Sequence, residues 1–574
     1  MAFRRSWHSL LLLALCLPVA WACDAPGPES RTLDSGPVVQ ALRLPRVFGN
    51  AMVLQRDREL PVWGWAHPGT SVNVRFAGQS HTGRSGKDGR WQIRLNPMPA
   101  SDEPREFIVA SEDTTQTRAF EGVLVGDVYL AGGQSNMAIS LAGSEAGPLE
   151  VQRANHPLLH FFRVPSLISP GRAVEDVVGE WTACSPQTAA RFSAVAYYFG
   201  RKLVTETGVP VGILQAAQGN TWAESWIPRD ALATSSAGRA YIRAWDAAEA
   251  RFDPDKARAY DARRMEAYRK RVAAVRAAGR KLNPDKVRKP RPTAPPRRHR
   301  GWPGTLYNGM VAPLEPFALR GVIWYQGEWN ARVRGYAYRS VLPTLIERWR
   351  RGFENPELEF YIVQLAEWFK PESKPRESAI AEARESQLRV HREDPRSGLV
   401  VIIDTAEKGS THPKNKQLPG ERLALWALAR EAGSGIEPSG PQFESQRVEG
   451  NRIVLSFSHV GAGLMVGRRS GNVAVTAVQE PLASFAIAGE DRTFAWAEAE
   501  IRGDEVVVWS DAVPAPQAVR YAWADNPAGS NLYNRDGLPA SPFRTDSFPA
   551  STQGVLEPRL PAAYRETGLR ATDE

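Results

Sequence analysis

Cysteine is scarce, with three residues in 574, at positions 16, 23 and 184. Cys16 and Cys23 lie in and at the edge of an N-terminal apolar run, so Cys184 is the one thiol of the folded body and a disulfide framework is excluded there. No second apolar run of about 18 residues follows, which excludes a transmembrane helix in the mature chain. No motif recurs with a period of about 20 to 50 residues, so a solenoid or propeller is excluded. There is no P-loop and no Gly-x-Gly-x-x-Gly after a strand, hence no cofactor signature. Histidine is sparse too, at nine. His156 and His160 stand four apart, but no acid or cysteine cluster accompanies them, so the pair reads as chance and no metal is expected.

Positive charge is plentiful but local. The formal net charge is +9, which by itself invites a nucleic-acid or membrane reading. Residues 239–300 hold 20 Lys and Arg against 7 Asp and Glu, so the rest of the chain is net acidic. This Ala- and Arg-rich stretch carries Met265, Tyr268, Val272 and Val275 at helical spacing and ends in Pro-rich segments. No aromatic stacking pattern runs through it, so it reads as a solvated helical insertion, 238–300, and no nucleic-acid partner is expected.

What is present is an ordinary globular composition, 43% hydrophobic and 24% charged, long enough for about three domains. Arg4 and Arg5, an apolar run from Leu10, and Ala20-Trp21-Ala22 before Cys23 follow the plan of a secretory signal, residues 1–22. Export is expected, to the periplasm, the cell exterior or, with a lipid anchor at Cys23, the outer membrane. Residues 41–120 alternate apolar and polar in short runs broken by Pro68-Gly69 and Asp88-Gly89, which predicts an N-terminal β-domain. From 121 to 435, apolar strands (125–131, 211–217, 319–325, 360–365, 399–404) alternate with helical stretches (195–204, 338–351). That order predicts a three-layer α/β/α core with a parallel sheet covered on both faces. The β-texture returns over 440–548 as a second β-domain, and 549–574 reads as a poorly ordered tail.

The sharpest feature is Gly132-Gly133-Gln134-Ser135-Asn136 at the end of an apolar strand. A serine on a tight strand-to-helix turn projects its hydroxyl above the sheet, and its own N–H at the helix start faces a developing oxyanion. Read alone, Ser135 is a helix N-cap before it is a nucleophile. Three more segments follow predicted strands. Gly219 ends one with backbone that can approach a ligand closely. Gln326-Gly327-Glu328-Trp329-Asn330 ends another, where Asn330 can donate to an oxyanion and Glu328 can orient it. Asp404 ends a third, with His412 eight residues on.

Gly-Gln-Ser-Asn-Met at 133–137, Gly219, Gln-Gly-Glu-Trp-Asn at 326–330 and Thr-His-Pro-Lys-Asn-Lys at 411–416 resemble the four blocks of the SGNH hydrolases. Within that superfamily, Phe48–Arg56, Leu306–Pro313, Val519–Trp523 and Ser541–Asp546 look most like the sialate O-acetylesterase family. The resemblance implies a flavodoxin-like hydrolase core between N- and C-terminal β-sandwich-like domains, a carbohydrate O-acetyl esterase without a cofactor, and an O-acetylated sugar as partner. It implies Ser135 as nucleophile, His412 as base, oxyanion donors at Ser135, Gly219 and Asn330, and support from Gln134, Asn136, Gln326 and Glu328. An orienting Asp usually stands three residues before the histidine, where this chain has Gly409. Asp404 or Glu407 can serve instead, or a backbone carbonyl such as that of Ser410 can hold the ring and leave a Ser-His dyad. Trp222, Trp226, Trp324, Trp329 and Trp368 flank these blocks as candidate sugar walls, with core packing as the competing role. Arg384 is a candidate for an acidic sugar. The sugar is sialic acid or, alternatively, an acetylated xylan or other polysaccharide, and a third reading is a catalytically dead carbohydrate-binding scaffold.

Overall fold

The apolar runs that alternate with helices build one twisted sheet at the centre of the chain. Its strands are β1 (Thr117–Gly133), β2 (His156–Arg163), β3 (Trp181–Cys184), β4 (Val211–Ala217), β5 (Gly321–Tyr325), β6 (Glu359–Val363) and β7 (Ser397–Val400). They lie in the order β7-β6-β5-β1-β4-β2-β3, parallel throughout except for the β2–β3 pair. This computed structural model describes residues 42–111, 116–282, 287–405, 410–431 and 434–566. The predicted leader, Cys23, Glu407 and Gly409 lie outside them.

Alternation along β1 decides which helix covers which face. Tyr129 and Ala131 pack into a core with α2 (Ala194–Thr207) and α8 (Gln417–Ala429), through Tyr198, Phe199, Leu423 and Trp426. Val128 and Leu130 point the other way, into the core containing Leu342, Leu345 and Trp349 of α6 (Tyr338–Gly352). Short apolar strands are buried on both faces for this reason, and every residue of β5, β6 and β7 is buried. Ser193 caps α2 by accepting the Ala196 N–H at 3.2 Å, and Gly208, at φ 69°, ends it in the left-handed conformation a side chain disfavours.

The N-terminal β-texture folds as expected, with 60–65 paired to 90–95 and 71–76 between 79–84 and 101–111. The anticipated boundary at 120 falls inside β1: the first part of this 17-residue strand pairs antiparallel with 101–111, and the rest runs between β4 and β5. The two layers are locked by Arg56, whose guanidinium meets buried Asp127 at 2.9 Å, with Arg320 on the same carboxylate at 3.0 Å.

The basic insertion forms α3 (Ser236–Ala250) and α4 (Pro254–Ala277). Only Ala257 of α4 is buried, while α3 buries Tyr241 and Trp245. The C-terminal β-domain holds antiparallel sheets such as 442–449, 452–458, 505–509 and 498–502.

Residues 549–566, the described part of the tail, are held at several points rather than left as the loose extension that their composition suggests. The Ser551 and Thr552 amides and hydroxyls all donate to Glu382. Leu556 O accepts from Arg334, and Tyr564, on the short helix α9 (Ala562–Glu566), packs on Trp245. A buried carboxylate and an aromatic nest order a segment whose sequence has no regular pattern. No described helix is long and apolar enough to cross a membrane.

Candidate active site

Strand order locates the site before any side chain is considered. The chain winds away from β1 in both directions, to β4 on one side and β5 on the other, and ligands bind outside the carboxyl ends of the strands at such a reversal. Ser135 follows β1, Gly219 follows β4, and Glu328 and Asn330 follow β5, on the short helix α5 (Glu328–Arg334). Glycines permit the close turns. A Cβ on Gly133, at φ +135°, would lie 2.2 Å from Tyr325 O. Gly219 lies against Ser135, where a Cβ would meet the serine Cβ at 3.4 Å.

Ser135 opens α1 (Ser135–Ala138), so its N–H is one of the amides a helix start leaves without an intrahelical partner. Its Oγ lies 2.7 Å from His412 Nε2. The other ring nitrogen, Nδ1, faces Thr411 Oγ1 at 3.3 Å. With Nδ1–H donating there, Nε2 is left as an acceptor for the serine proton. One edge of the ring is open to solvent, yet the protein packed around it and then the Lys416 ammonium hold its pKa below the ordinary 6.5. The ring is therefore kept neutral, as a base must be.

No carboxylate completes a triad among the described residues. Asp404, the expected candidate, is taken: Arg422 grips both its oxygens at 2.8 and 2.7 Å, and Tyr533 reaches it at 3.3 Å. Its side chain is 4% exposed, and it ties α8 to the C-terminal β-domain. Ser410 contributes its hydroxyl, which accepts from His412 N at 3.1 Å, rather than its carbonyl.

The orientation of Asn330 follows from its partners. Its Oδ1 accepts from Ala223 N at 3.1 Å and from Gln326 Nε2 at 3.0 Å, and its Nδ2 donates to Glu224 at 2.8 Å. One of its two amide hydrogens is thereby left over for a ligand. Glu224 is fully buried and paired with Arg334, itself 1% exposed. Thus Glu224, not Glu328, orients Asn330. Gln326 also reaches Gln134 at 3.3 Å and Thr221 O at 3.0 Å, and accepts from Tyr338 at 2.8 Å.

Glu328 serves a different neighbour. Its Oε1 accepts from Asn136 Nδ2 at 2.5 Å, and the same amide group reaches Thr411 O at 3.0 Å. Asn136 Oδ1 accepts from Lys416 Nζ at 2.6 Å. Asn136 therefore joins the serine turn to the histidine loop. Burial raises the Glu328 pKa above the usual carboxylate range, and its Oε2 is buried without a hydrogen-bond partner.

The candidate sugar contacts divide. Arg384, on α7 (Ala379–Glu393), is fully buried and donates to four backbone carbonyls, of Leu365, Ala366, Ala524 and Asp525. It staples two loops from inside and faces no ligand. Trp222 is 2% exposed, packed with Tyr241, Trp245, Trp302 and Tyr564, while Trp226 and Trp324 belong to the core. Trp329 and Trp368 are half-buried and remain available as walls. His160 is held by Ala51 O and Pro157 O. Burial pushes the Cys184 thiol up to about 12, so it is no nucleophile.

Sequence reasoning missed Glu224, Arg334, Thr411, Lys416 and Arg300, whose Nη1 donates to Gly219 O at 3.0 Å from the end of the insertion. Thr411 and Lys416 stand inside a quoted motif and were legible there. Nothing in the sequence marks the other three as neighbours of the site.

A family model described as carbohydrate esterase, sialic acid-specific acetylesterase, matches residues 297–424. The sialate O-acetylesterase of Mus musculus is 28% identical over 423 residues, covering 67% of this chain and 73% of that protein. The protein of the same name from Homo sapiens is 25% identical, covering 78% and 80%. A crystal structure of a carbohydrate acetylesterase from Xanthomonas citri superposes with a TM-score of 0.71 at 34% identity, over 88% of this chain and 100% of that one.

Proposed function

The chain belongs to the sialate O-acetylesterase family of carbohydrate esterases, and from that premise we propose that Ser135 and His412 hydrolyse O-acetyl esters of sugars, with O-acetylated sialic acid as substrate. The observation that carries the reading is the 2.7 Å contact between Ser135 Oγ and His412 Nε2 at the switch point of the sheet.

His412 takes the hydroxyl proton as Ser135 Oγ attacks the acetyl carbonyl, because serine is a weak nucleophile without a base. The negative charge that forms on the carbonyl oxygen is met by the N–H groups of Ser135 and Gly219 and by the remaining amide hydrogen of Asn330. Donors fixed in advance cost no reorganisation when the charge appears. His412 then gives the proton to the departing sugar oxygen, which leaves as a hydroxyl, and the acetyl group stays on Ser135 as an ester. A water then loses a proton to His412 as its oxygen attacks the acetyl carbonyl, the bond to Ser135 Oγ breaks, His412 returns the proton to Oγ, and acetate leaves. Thr411 holds the ring in the competent tautomer, in the place a carboxylate occupies in a triad, and Asn136 fixes the loop through the Thr411 carbonyl. Residues 1–22, read as a secretory signal, direct this activity outside the cytoplasm.

The test is acetate release by the protein and by Ser135→Ala, from O-acetylated sialic acid and from an acetylated xylo-oligosaccharide in parallel. Release from the first that vanishes in Ser135→Ala is expected. Release from the second alone keeps the mechanism and replaces the sugar. Release from neither by folded protein sinks the esterase reading in favour of a binding scaffold. Asn330→Ala is expected to lower kcat by about 10² to 10³.

A further inference from the structure

Beside Ser135 runs a ledge of side chains that the steps above do not use. Trp329 separates Glu328 from Asn330, and its indole N–H points to Asn220 Oδ1 at 3.4 Å, next to Gly219. One turn on, the guanidinium carbon of Arg332 lies 5.2 Å from the Trp329 ring centroid and 5.3 Å from that of Trp368. Trp368 in turn stacks on Phe369, with centroids 4.8 Å apart and planes within 1°.

Two features of this ledge face solvent rather than the fold. Arg332 is exposed and, among the described residues, makes no hydrogen bond or ion pair. Its N–H donors are all free, yet the two indoles hold it in place. The other arginines behind or around the site are committed: Arg334 to Glu224, Arg384 to carbonyls, Arg300 to Gly219. Second, Phe369 is 51% exposed and sits at φ 67°, a left-handed conformation that a bulky residue adopts only when its surroundings impose it. They do so here: Asn526 Nδ2 donates to Phe369 O at 2.8 Å and Trp368 N donates to Asp525 O at 3.0 Å. Arg384, from below, holds the carbonyls of Leu365, Ala366 and Asp525. The fold thus spends three sets of hydrogen bonds on presenting a large apolar ring to solvent.

We propose that Trp329, Arg332, Trp368 and Phe369 form a subsite that takes a sugar ring bearing a carboxylate, beside the acetyl group on Ser135. Aromatic faces take the apolar face of a pyranose ring, and a planar guanidinium with free donors pairs with a carboxylate through two parallel N–H groups. A neutral sugar would use the rings and leave the guanidinium unpaired. This deepens the proposed function and depends on it for its catalytic consequence, but binding to the ledge can be measured without hydrolysis. The carboxylate can belong to a sialic acid or to a hexuronic acid of a polysaccharide, so both are tested.

Calorimetric titration of full-length Ser135→Ala with O-acetylated N-acetylneuraminic acid, with an acetylated galacturonate oligosaccharide and with the methyl ester of each reads the subsite directly. The acid form of one of them is expected to bind about tenfold tighter than its methyl ester, in keeping with a charged hydrogen bond at a partly exposed site. The sugar showing that preference identifies the source of the carboxylate. Adding Arg332→Gln should bring the ratio to about one, with Arg332→Lys intermediate, because lysine keeps the charge without the fork. Trp368→Ala should weaken acid and ester alike. Equal binding of acid and methyl ester by both sugars, or a preference that survives Arg332→Gln, overturns the subsite. Acetate release by protein with Ser135 intact, followed in parallel, decides the esterase reading separately.

Discussion

At the scale of single residues, what matters most is which side chains already have a partner. Asp404, one of the two acids that the sequence offers to His412, is occupied by Arg422, and among the described residues the ring nitrogen Nδ1 has a hydroxyl neighbour at 3.3 Å. Such a base depends on its environment to stay neutral. Surrounding protein and the Lys416 ammonium both disfavour the imidazolium, so the ring remains competent below its ordinary pKa of 6.5. Activity should therefore fall with acidification only as the pH drops through a value under 6.5, seen as the acid limb of kcat/KM against pH, which reports the free enzyme. Lys416→Met removes the second of the two causes and should move that limb upward. A limb above 6.5, or one indifferent to Lys416, would contradict this account.

Between elements, the same Asp404 has a mechanical task. It sits where β7 gives way to the histidine loop and joins that loop to α8 through Arg422 and to the C-terminal β-domain through Tyr533. Asp404→Asn is expected to destabilise by about 3 to 5 kcal/mol, the cost of breaking a buried pair from one side. The surviving folded fraction should keep kcat within a few fold of the parent. A loss of several orders of magnitude per folded molecule, as in triad enzymes, would restore Asp404 to the catalytic set. Unfolding midpoint and rate measured on one preparation separate the two outcomes.

For the molecule as a whole, segments remote in sequence meet behind Asn330 and Gly219. The tail supplies Leu556 to Arg334, which pairs with Glu224, which orients Asn330. The insertion supplies Arg300 to Gly219, and Tyr564 packs against Trp245 between them. Ending the chain at Phe548 is expected to lower the thermal midpoint by several degrees and to reduce kcat more than Asp404→Asn does, because Arg334 and Glu382 lose their covering partners. A truncated protein with unchanged midpoint and rate would show that the tail merely covers the surface.

The core elements were legible before any coordinates, since continuous apolar runs such as 211–217 and 321–325 are buried on both faces and little else can be done with them. Ser135, Gly219, Asn330 and His412 were legible because each follows a strand end in a motif of unusual composition. The commitment of Asp404 to Arg422, the burial of Arg384 and the contacts made by residues 551–564 were not. Each depends on which of several equally charged or aromatic partners comes within hydrogen-bonding reach, and Asp404 with Arg422, or Leu556 with Arg334, are brought together by helix and domain packing that has no local signature. Sequence by itself determined the sheet, its order of texture and the residue types that stand in the four blocks, through side-chain period and composition. Tertiary structure alone decided which polar groups are spent on each other and which, like Arg332, are left facing outward, because pairing is a matter of distance between elements rather than of pattern within them.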